Sequence, residues 1–182
     1  EFVAKCDICT KFSRIKHQPI EDVGLPDGPW IELGSDTCEF KGRLFLVVVC
    51  YYSAWIEIKP LLSLSSYNVI QEFKGIFSCY GVPELLRSDN SGCYISESFK
   101  NFAQTWGFDQ RFSSPRYGLA ERCVGIFKNL VRKSDDIFSA LLSYRSTPLI
   151  DGFSPGELMF GRPLRTPLGY ARDRVVNYKE FE

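Results

Sequence analysis

The sequence predicts an α/β domain built on one sheet of mixed strand direction, with helices covering both faces of the sheet. Three strand-like segments come first, between residues 30 and 60, and strand-like and helix-like segments alternate after them. That order is typical of a mixed sheet. The segment Phe45–Val49 is continuously apolar and rich in β-branched residues, which is the composition of a strand buried on both faces.

The elements follow from local patterns of apolar residues and turn residues. Five segments have strand character: Ile31–Leu33, Leu44–Val49, Ser53–Pro60, Val82–Ser88 and Phe108–Ser113. Four have helical periodicity, at about residues 65–79, 96–106, 119–133 and 135–144. Gly42 marks a bend, Pro60 is expected to end the third strand, and Gly81 and Gly107 are expected to end the first two helices.

Composition narrows the possible classes of protein. With 182 residues, 45% of them hydrophobic, the chain is long enough for one domain with a sizeable core. No apolar run approaches the roughly 18–20 residues of a membrane helix, and the first residues do not resemble a signal peptide. The formal net charge is zero, which gives no global support to nucleic-acid binding.

The cysteines predict free thiols rather than a disulfide framework. The chain has seven cysteines, an odd number. Five of them stand among apolar neighbours, namely Cys38, Cys50, Cys79, Cys93 and Cys123. This pattern indicates buried thiols in a reducing, intracellular compartment.

Three carboxylates stand at the ends of predicted elements or on a predicted helix. Asp36 follows the first strand, Asp89 ends the fourth, and Glu121 lies in the long helix. Three such groups could hold two Mg²⁺ ions, which prefer oxygen ligands, for phosphoryl transfer. Taken singly, each is better explained as an ordinary turn or capping residue. Other acids receive no role: Glu39, Glu57, Glu72, Glu84 and Glu97.

The long helix carries a basic stripe. On a 3.6-residue period one face holds Glu121, Gly125, Lys128 and Arg132. The opposite, buried face is predicted to hold Leu119, Cys123, Ile126, Phe127 and Leu130. Six basic residues stand against one acid between residues 111 and 133, namely Arg111, Arg116, Arg122, Lys128, Arg132 and Lys133. The positive charge of this segment would suit binding to the phosphate backbone of a nucleic acid. The alternative interpretation is an amphipathic helix whose charged face is simply solvated.

The first residues contain half of a possible zinc site. Cys6 and Cys9 have the spacing of one pair of zinc ligands, and His17 is the only histidine. Either the first two ligands lie upstream of this sequence, or the pair is two free cysteines. Within this chain alone we favour no bound metal here.

Together these residues resemble the integrase catalytic core of retroviruses and, more closely, of gypsy-type LTR retrotransposons. The resemblance covers roughly residues 6–166. It is carried by CDIC, VVVCYYSAWIEI, GVPELLRSDNS, SSPRYGLAER with its basic helix, and ALLSYRSTPLIDGFSPGELMFGRPLRTPL. It implies a ribonuclease-H-like fold with a five-stranded mixed sheet flanked by helices. The implied division is a zinc-module remnant at 1–22, a catalytic core at 23–165 and a tail at 166–182.

The resemblance also implies an activity and a site. It makes Asp36, Asp89 and Glu121 a catalytic triad that holds two Mg²⁺ or Mn²⁺ ions for 3′-end processing and DNA strand transfer. It matches Lys128 to a family position that contacts DNA ends, and Asn90 to the residue that follows the second aspartate in the family. With the arginines of the basic segment, the expected DNA contacts are Asn90, Arg116, Arg122, Lys128 and Arg132. It makes Cys6 and Cys9 the last two ligands of a His-His-Cys-Cys module, which would bind Zn²⁺ only with upstream ligands.

The implied setting is a retroelement Pol polyprotein. The expected partners are DNA, both element ends and target duplex, and further copies of the chain in a dimer or tetramer. The protein is expected to be intracellular and to act in the nucleus. A membrane is not among the expected partners.

The sequence departs from the family in three places. Only 31 residues separate Asp89 from Glu121, four fewer than is usual. Ser91 stands before Gly92, so the glycine after the second aspartate is displaced by one position. Cys50 occupies a position that is often acidic, and we interpret it as core filler. These departures leave open a second hypothesis, a catalytically inactive, domesticated module that binds DNA or protein. A third hypothesis, a ribonuclease H or another nuclease of the same fold, would not explain the Cys6/Cys9 pair or the C-terminal SYRSTPL and GRPLRTPL stretches.

Overall fold

A computed structural model describes residues 26–112, 124–126, 128–130, 132, 136–150 and 152–167. Five strands form one sheet in the order β3-β2-β1-β4-β5. Their bounds are β1 Glu32–Phe40, β2 Arg43–Cys50, β3 Ile56–Leu61, β4 Leu85–Ser88 and β5 Asp109–Phe112. The first three strands are antiparallel, and β1, β4 and β5 are parallel. The predicted five-stranded mixed sheet is confirmed.

Helices connect and cover the strands. The described helices are α1 Ser66–Tyr80, α2 Gly92–Ile95, α3 Glu97–Trp106, α4 Ile137–Ser146 and α5 Pro155–Phe160. Residues 124–126, 128–130 and 132 are also helical, and we call them the Lys128 segment. Gly81 and Gly107 follow α1 and α3 at positive φ, as expected of glycines that end helices. Within the described ranges no helix is long and apolar enough to cross a membrane.

The first strand is longer than predicted, and Asp36 lies inside it rather than after it. Pairing with β2 continues to the closing pair Phe40–Arg43. The two residues between them, Lys41 and Gly42, both have positive φ, at 49° and 71°. Two-residue hairpin turns of this kind match the twist of the strands they join. Pairing with β2 thus extends β1 beyond the apolar segment Ile31–Leu33, through polar residues that the sequence pattern did not predict to be in a strand.

Pro60 lies within β3 and does not end it. The Cys50 N–H donates to the Trp55 carbonyl over 2.9 Å, so this opposite pair is hydrogen-bonded. Because such pairs alternate along an antiparallel ladder, Pro60 opposite Phe45 falls in a non-bonded pair. Its missing N–H therefore faces the outer edge of the sheet, where proline is tolerated.

Both faces of the sheet are buried against other elements, as the apolar second strand predicts. Residues 45–50 of β2 are all buried. One face packs against α1 and α3 with an aromatic cluster, which includes Phe73, Phe77, Phe99, Phe102 and Phe108. The other face holds Cys38, Phe45, Val47, Val49 and Ile56, and Val124 of the Lys128 segment packs on it.

The prediction of buried free thiols holds for three of the four cysteines that the structure describes. Cys38, Cys50 and Cys93 are buried and free, whereas Cys79 is free but exposed because it faces away from the apolar stripe of α1. Cys50 is fully buried and accepts a hydrogen bond from the Trp30 N–H over 3.1 Å, which confirms it as core filler. Cys123 lies outside the described residues.

Candidate active site

The register of the sheet sets Asp36 and Asp89 at the same level of neighbouring strands. In the parallel pairing of β1 and β4, Glu32 faces Leu85 and Gly34 faces Arg87, a constant offset of 53 residues. The same offset, continued by two residues, puts Asp36 opposite Asp89, the first residue after β4. Neighbouring strands lie about 4.8 Å apart, and residues at one level of a parallel pair point to the same face. The fold therefore brings these two predicted carboxylates together.

Backbone N–H groups orient both carboxylates. Asp36 Oδ1 accepts a hydrogen bond from the Thr37 N–H over 2.7 Å, and Asp36 is half-buried. Asp89 Oδ1 accepts one from the Ser91 N–H over 3.2 Å, although Asp89 and Asn90 are exposed. An aspartate that bonds the backbone two residues ahead forms a compact turn. Each acid is thus oriented locally by a backbone N–H group.

The displaced glycine after Asp89 does not need unusual backbone freedom. Gly92 is the first residue of α2, and it is absent from the set of described glycines with positive φ. A Cβ atom built at Gly92 would meet nothing within 4 Å. The turn at Asp89 instead depends on the side-chain bond to Ser91. The Ser91–Gly92 departure from the family pattern therefore imposes no backbone strain.

An open cleft of about 400 Å³ lies between β1, the start of α1 and the segment that follows Asp89. It is lined by Thr37, Leu64, Ser65, Ser66, Ser91, Gly92 and Cys93. Thr37 follows Asp36 directly, and Ser91 belongs to the Asp89 turn. Hydroxyl groups and backbone line much of the wall, and the start of α1 forms its far side. Neither Asp36 nor Asp89 lines it, and Thr37 points to the face of β1 opposite Asp36.

Lys128 lies close to β1 on the face that carries Asp36. Burial raises the pKa of the Cys38 thiol, the Lys128 charge lowers it, and the Asp36 carboxylate raises it. Cys38 lies two residues after Asp36 on β1, so both side chains point to the same face of the sheet, the face on which Val124 packs. A lysine and an aspartate therefore flank one buried thiol.

The buried stripe of the Lys128 segment differs from the prediction. Gly125 and Arg132 are exposed as expected, but Lys128 is half-buried rather than on an exposed ridge. Val124, which the predicted buried face omits, is buried at 8% exposure, whereas Ile126 and Leu130 are half-buried. Val124 and Lys128 are one turn apart, and a lysine stem can cover apolar surface while its ammonium reaches solvent.

Several predicted site residues lie outside the described residues. They are Glu121, Arg116, Arg122, Cys6 and Cys9, together with His17. Within the described ranges no group of three or more His, Cys, Asp or Glu side chains could hold a metal ion. Two carboxylates on adjacent strands nevertheless have the donor chemistry that Mg²⁺ prefers, and a third acid would complete the set.

Sequence reasoning missed the pairing of Ser35, which precedes Asp36, with Tyr94 of α2, the helix that follows the Asp89 turn. Their hydroxyl oxygen atoms are 2.5 Å apart, and both side chains are buried. The only available signal was a polar Ser35 at an inward-facing strand position next to Asp36. Its partner is 59 residues away in the sequence and could not be identified from local pattern.

No family model matches the sequence, but the sequence is similar to several known proteins. The chain is 31% identical over 192 residues to uncharacterized protein K02A2.6 of Caenorhabditis elegans, covering 96% of this chain and 15% of that protein. It is 27% identical over 204 residues to the Gag-Pol polyprotein of walleye dermal sarcoma virus, covering 95% and 11%. The chain thus spans only a small part, 11–15%, of these relatives.

Solved structures share the fold. The catalytic core domain of HTLV-2 integrase, in complex with magnesium, superposes with a TM-score of 0.63 at 21% identity, covering 72% of this chain and 97% of that one. A simian T-cell lymphotropic virus intasome, in complex with the PP2A regulatory subunit B56 gamma, gives 0.72 at 21% identity, covering 92% and 67%. These likenesses show the ribonuclease-H-like fold. The chain is thus related by sequence to retroviral Pol polyproteins, and it shares the fold of retroviral integrase catalytic cores.

Proposed function

We propose that the chain is the catalytic core of a DNA integrase, which trims a 3′ end and then joins it to a target strand. The observation that carries the proposal is the register of β1 and β4, which ends at the pair Gly34–Arg87 and, continued by two residues, sets Asp36 level with Asp89. Two carboxylates from separate strands are a suitable foundation for a divalent metal site. The sequence relation to retroviral Pol polyproteins, and the magnesium complex of a protein that shares the fold, support the same function.

Each residue has a distinct task in this reaction. Asp36 and Asp89 would hold Mg²⁺ or Mn²⁺, with Glu121 as the third carboxylate, and Thr37 and Ser91 orient the first two through their N–H groups. Two such ions supply activation of the attacking oxygen and stabilisation of the leaving oxygen. Lys128, on the same face as Asp36, would bind a phosphate, and Asn90, Arg116, Arg122 and Arg132 would add contacts to the DNA.

The proposed partners are DNA and other copies of the chain. Lys128, on the face of β1 that carries Asp36, and the exposed Arg132 suit contacts to a phosphate backbone. The HTLV-2 core has been solved in dimeric and trimeric forms, and the simian virus neighbour is an intasome. We therefore propose a homo-oligomer that acts on DNA in the nucleus. The division into a zinc-module remnant, core and tail stays a prediction.

The reaction is tested with a branched DNA that mimics the joined product. By microscopic reversibility, the groups that join strands also release them, so release in the presence of Mn²⁺ reports the same site. We expect Asp36→Asn to reduce the rate of strand release by more than about 100-fold. Losing a residue that only orients a metal ligand costs up to about 100-fold, and Asp36 is proposed to be a ligand itself. Glu39→Gln is the matched control, because Glu39 is an exposed acid on the same strand.

Two outcomes would contradict the proposal. One is equal strand release by wild type and Asp36→Asn. The other is DNA binding by the wild type without any release, which would favour the domesticated binding module, consistent with the shortened segment before Glu121.

A further inference from the structure

A buried hydroxyl pair joins β1 to α2 next to the two acids. Ser35 Oγ and Tyr94 Oη lie 2.5 Å apart, and the two side chains are 1% and 0% exposed. Ser35 directly precedes Asp36, and Tyr94 belongs to the short helix that follows the Asp89 turn. Burial raises the pKa of Tyr94 well above its usual range, and the charges of Asp36 and Asp89 raise it further. Tyr94 therefore remains a neutral hydroxyl within the electrostatic reach of both acids.

Tyr94 is held from three directions. Its side chain bonds Ser35 of β1, and its backbone carbonyl accepts a hydrogen bond from Gln110 Nε2 of β5 over 3.1 Å. Its ring also packs edge-on against Phe99 of α3, with centroids 5.3 Å apart. Because β4 lies between β1 and β5 in the sheet, these contacts bridge the end of β4 from which Asp89 emerges.

We propose that the Ser35–Tyr94 pair is a positioning device that holds the Asp89 turn against Asp36 and so sets the separation of the two carboxylates. The inference rests on the proposed metal-dependent function. Only Asp89, Asn90 and Ser91 lie between the last residue of β4 and the first of α2. The sheet fixes one end of this segment, and Tyr94 fixes the other.

The chemistry of the pair explains why it can specify position. A hydroxyl group buried among apolar side chains is stable only when it is hydrogen-bonded, so each member requires the other. The Tyr94 ring lies in the apolar core cluster and packs against Phe99. A displaced α2 would separate the two hydroxyls and carry Asp89 away from Asp36.

The first test measures the turn itself, without metal. We expect Tyr94→Phe and Ser35→Ala to speed amide hydrogen exchange at Ser91 by roughly 10- to 100-fold, the range for leaving one buried polar group unpaired. Tyr80→Phe is the matched control, because it also removes a tyrosine hydrogen bond, to Glu57 over 2.7 Å, at a distant site. We expect it to lower the melting temperature without changing exchange at Ser91.

The second test measures Mn²⁺ affinity by calorimetry in the same variants. We expect about 10- to 100-fold weaker binding in Tyr94→Phe and Ser35→Ala, as for other residues that orient metal ligands. The double variant should bind no more weakly than either single one, because the two changes remove one interaction. Tyr80→Phe should bind like the wild type.

The outcomes distinguish the positioning role of the Ser35–Tyr94 pair from the metal-dependent function on which it rests. Unchanged Ser91 exchange in Tyr94→Phe, or wild-type Mn²⁺ affinity in both single variants, would overturn the positioning role. Faster Ser91 exchange with no Mn²⁺ binding by the wild type would support the positioning of the turn and contradict the proposed metal function.

Discussion

Arg145→Ala is expected to lower the free energy of unfolding by about 3–5 kcal/mol, the usual cost of breaking a buried ion pair by removing one partner. Glu57 Oε1 accepts hydrogen bonds from Arg145 Nη2 over 2.7 Å, Trp55 Nε1 over 2.9 Å and Tyr80 Oη over 2.7 Å. Glu57 is only 7% exposed. Without Arg145 its charge would stay buried with neutral donors alone.

Arg145 stabilises β3 in two further ways. Its guanidinium lies 4.0 Å from the centre of the Trp55 ring, within range of a cation–π contact. Its Nε and Nη2 donate to the Ile56 carbonyl over 3.2 and 2.6 Å. That carbonyl faces the outer edge of the sheet, where β3 has no neighbouring strand. Alanine would remove all three interactions at once.

Urea unfolding of Arg145→Ala and a matched variant measures this effect. Lys100→Ala is the control, because Lys100 pairs with Glu97 over 3.6 Å with both side chains more than half exposed. Such a surface pair contributes about 0–1 kcal/mol. If Arg145→Ala lost no more stability than Lys100→Ala, the cluster around Glu57 would not hold β3 to α4.

Gly156→Ala is expected to cost about 1–3 kcal/mol, the typical effect of overpacking. A Cβ atom at Gly156 would lie 2.6 Å from Leu164 Cγ and 2.9 Å from the Arg145 carbonyl oxygen. The site cannot relax easily, because α5 is held by a buried capping box. Ser154 Oγ accepts from the Glu157 N–H, and Glu157 Oε2 accepts from the Ser154 N–H.

Gly75→Ala is the matched control for this second prediction. Gly75 lies on the exposed side of α1, and a Cβ atom added there would meet nothing within 4 Å. Replacing an exposed glycine inside a helix with alanine is expected to stabilise by about 0.5–1 kcal/mol. Thermal or urea unfolding of both variants gives the comparison. Equal stabilities would contradict the close approach of α5 to Leu164.

Local patterns were sufficient for most elements but not for the bounds that depend on pairing. The apolar run of β2, the capping Ser65 and the glycines after α1 and α3 are all readable from neighbouring residues. The extension of β1 through Asp36 and the inclusion of Pro60 in β3 depend on β2 as a partner, which no local pattern contains. The sequence did contain one overlooked signal, since Ser154 and Glu157 have capping-box spacing.

The sequence pointed to Asp36 and Asp89 as candidate site residues, but not to the contacts around them. Asp36 and Asp89 stood out because each lies at or near a strand end, and the family resemblance joined them. The register that sets them level, and the Ser35–Tyr94 bond beside them, depend on residues more than 50 positions apart. Glu57 received no role for the same reason, since Tyr80 and Arg145 are 23 and 88 residues away.

The central claim, that Asp36 and Asp89 form a divalent metal site, is tested most directly by calorimetric titration of Mn²⁺ and Mg²⁺ into the chain with a DNA duplex present. The account predicts saturable binding by the wild type that is lost in the double variant Asp36→Asn/Asp89→Asn. Melting temperatures of both proteins, measured without metal, control for unfolding. Absence of binding by the wild type, or equal binding by the folded double variant, would contradict the claim.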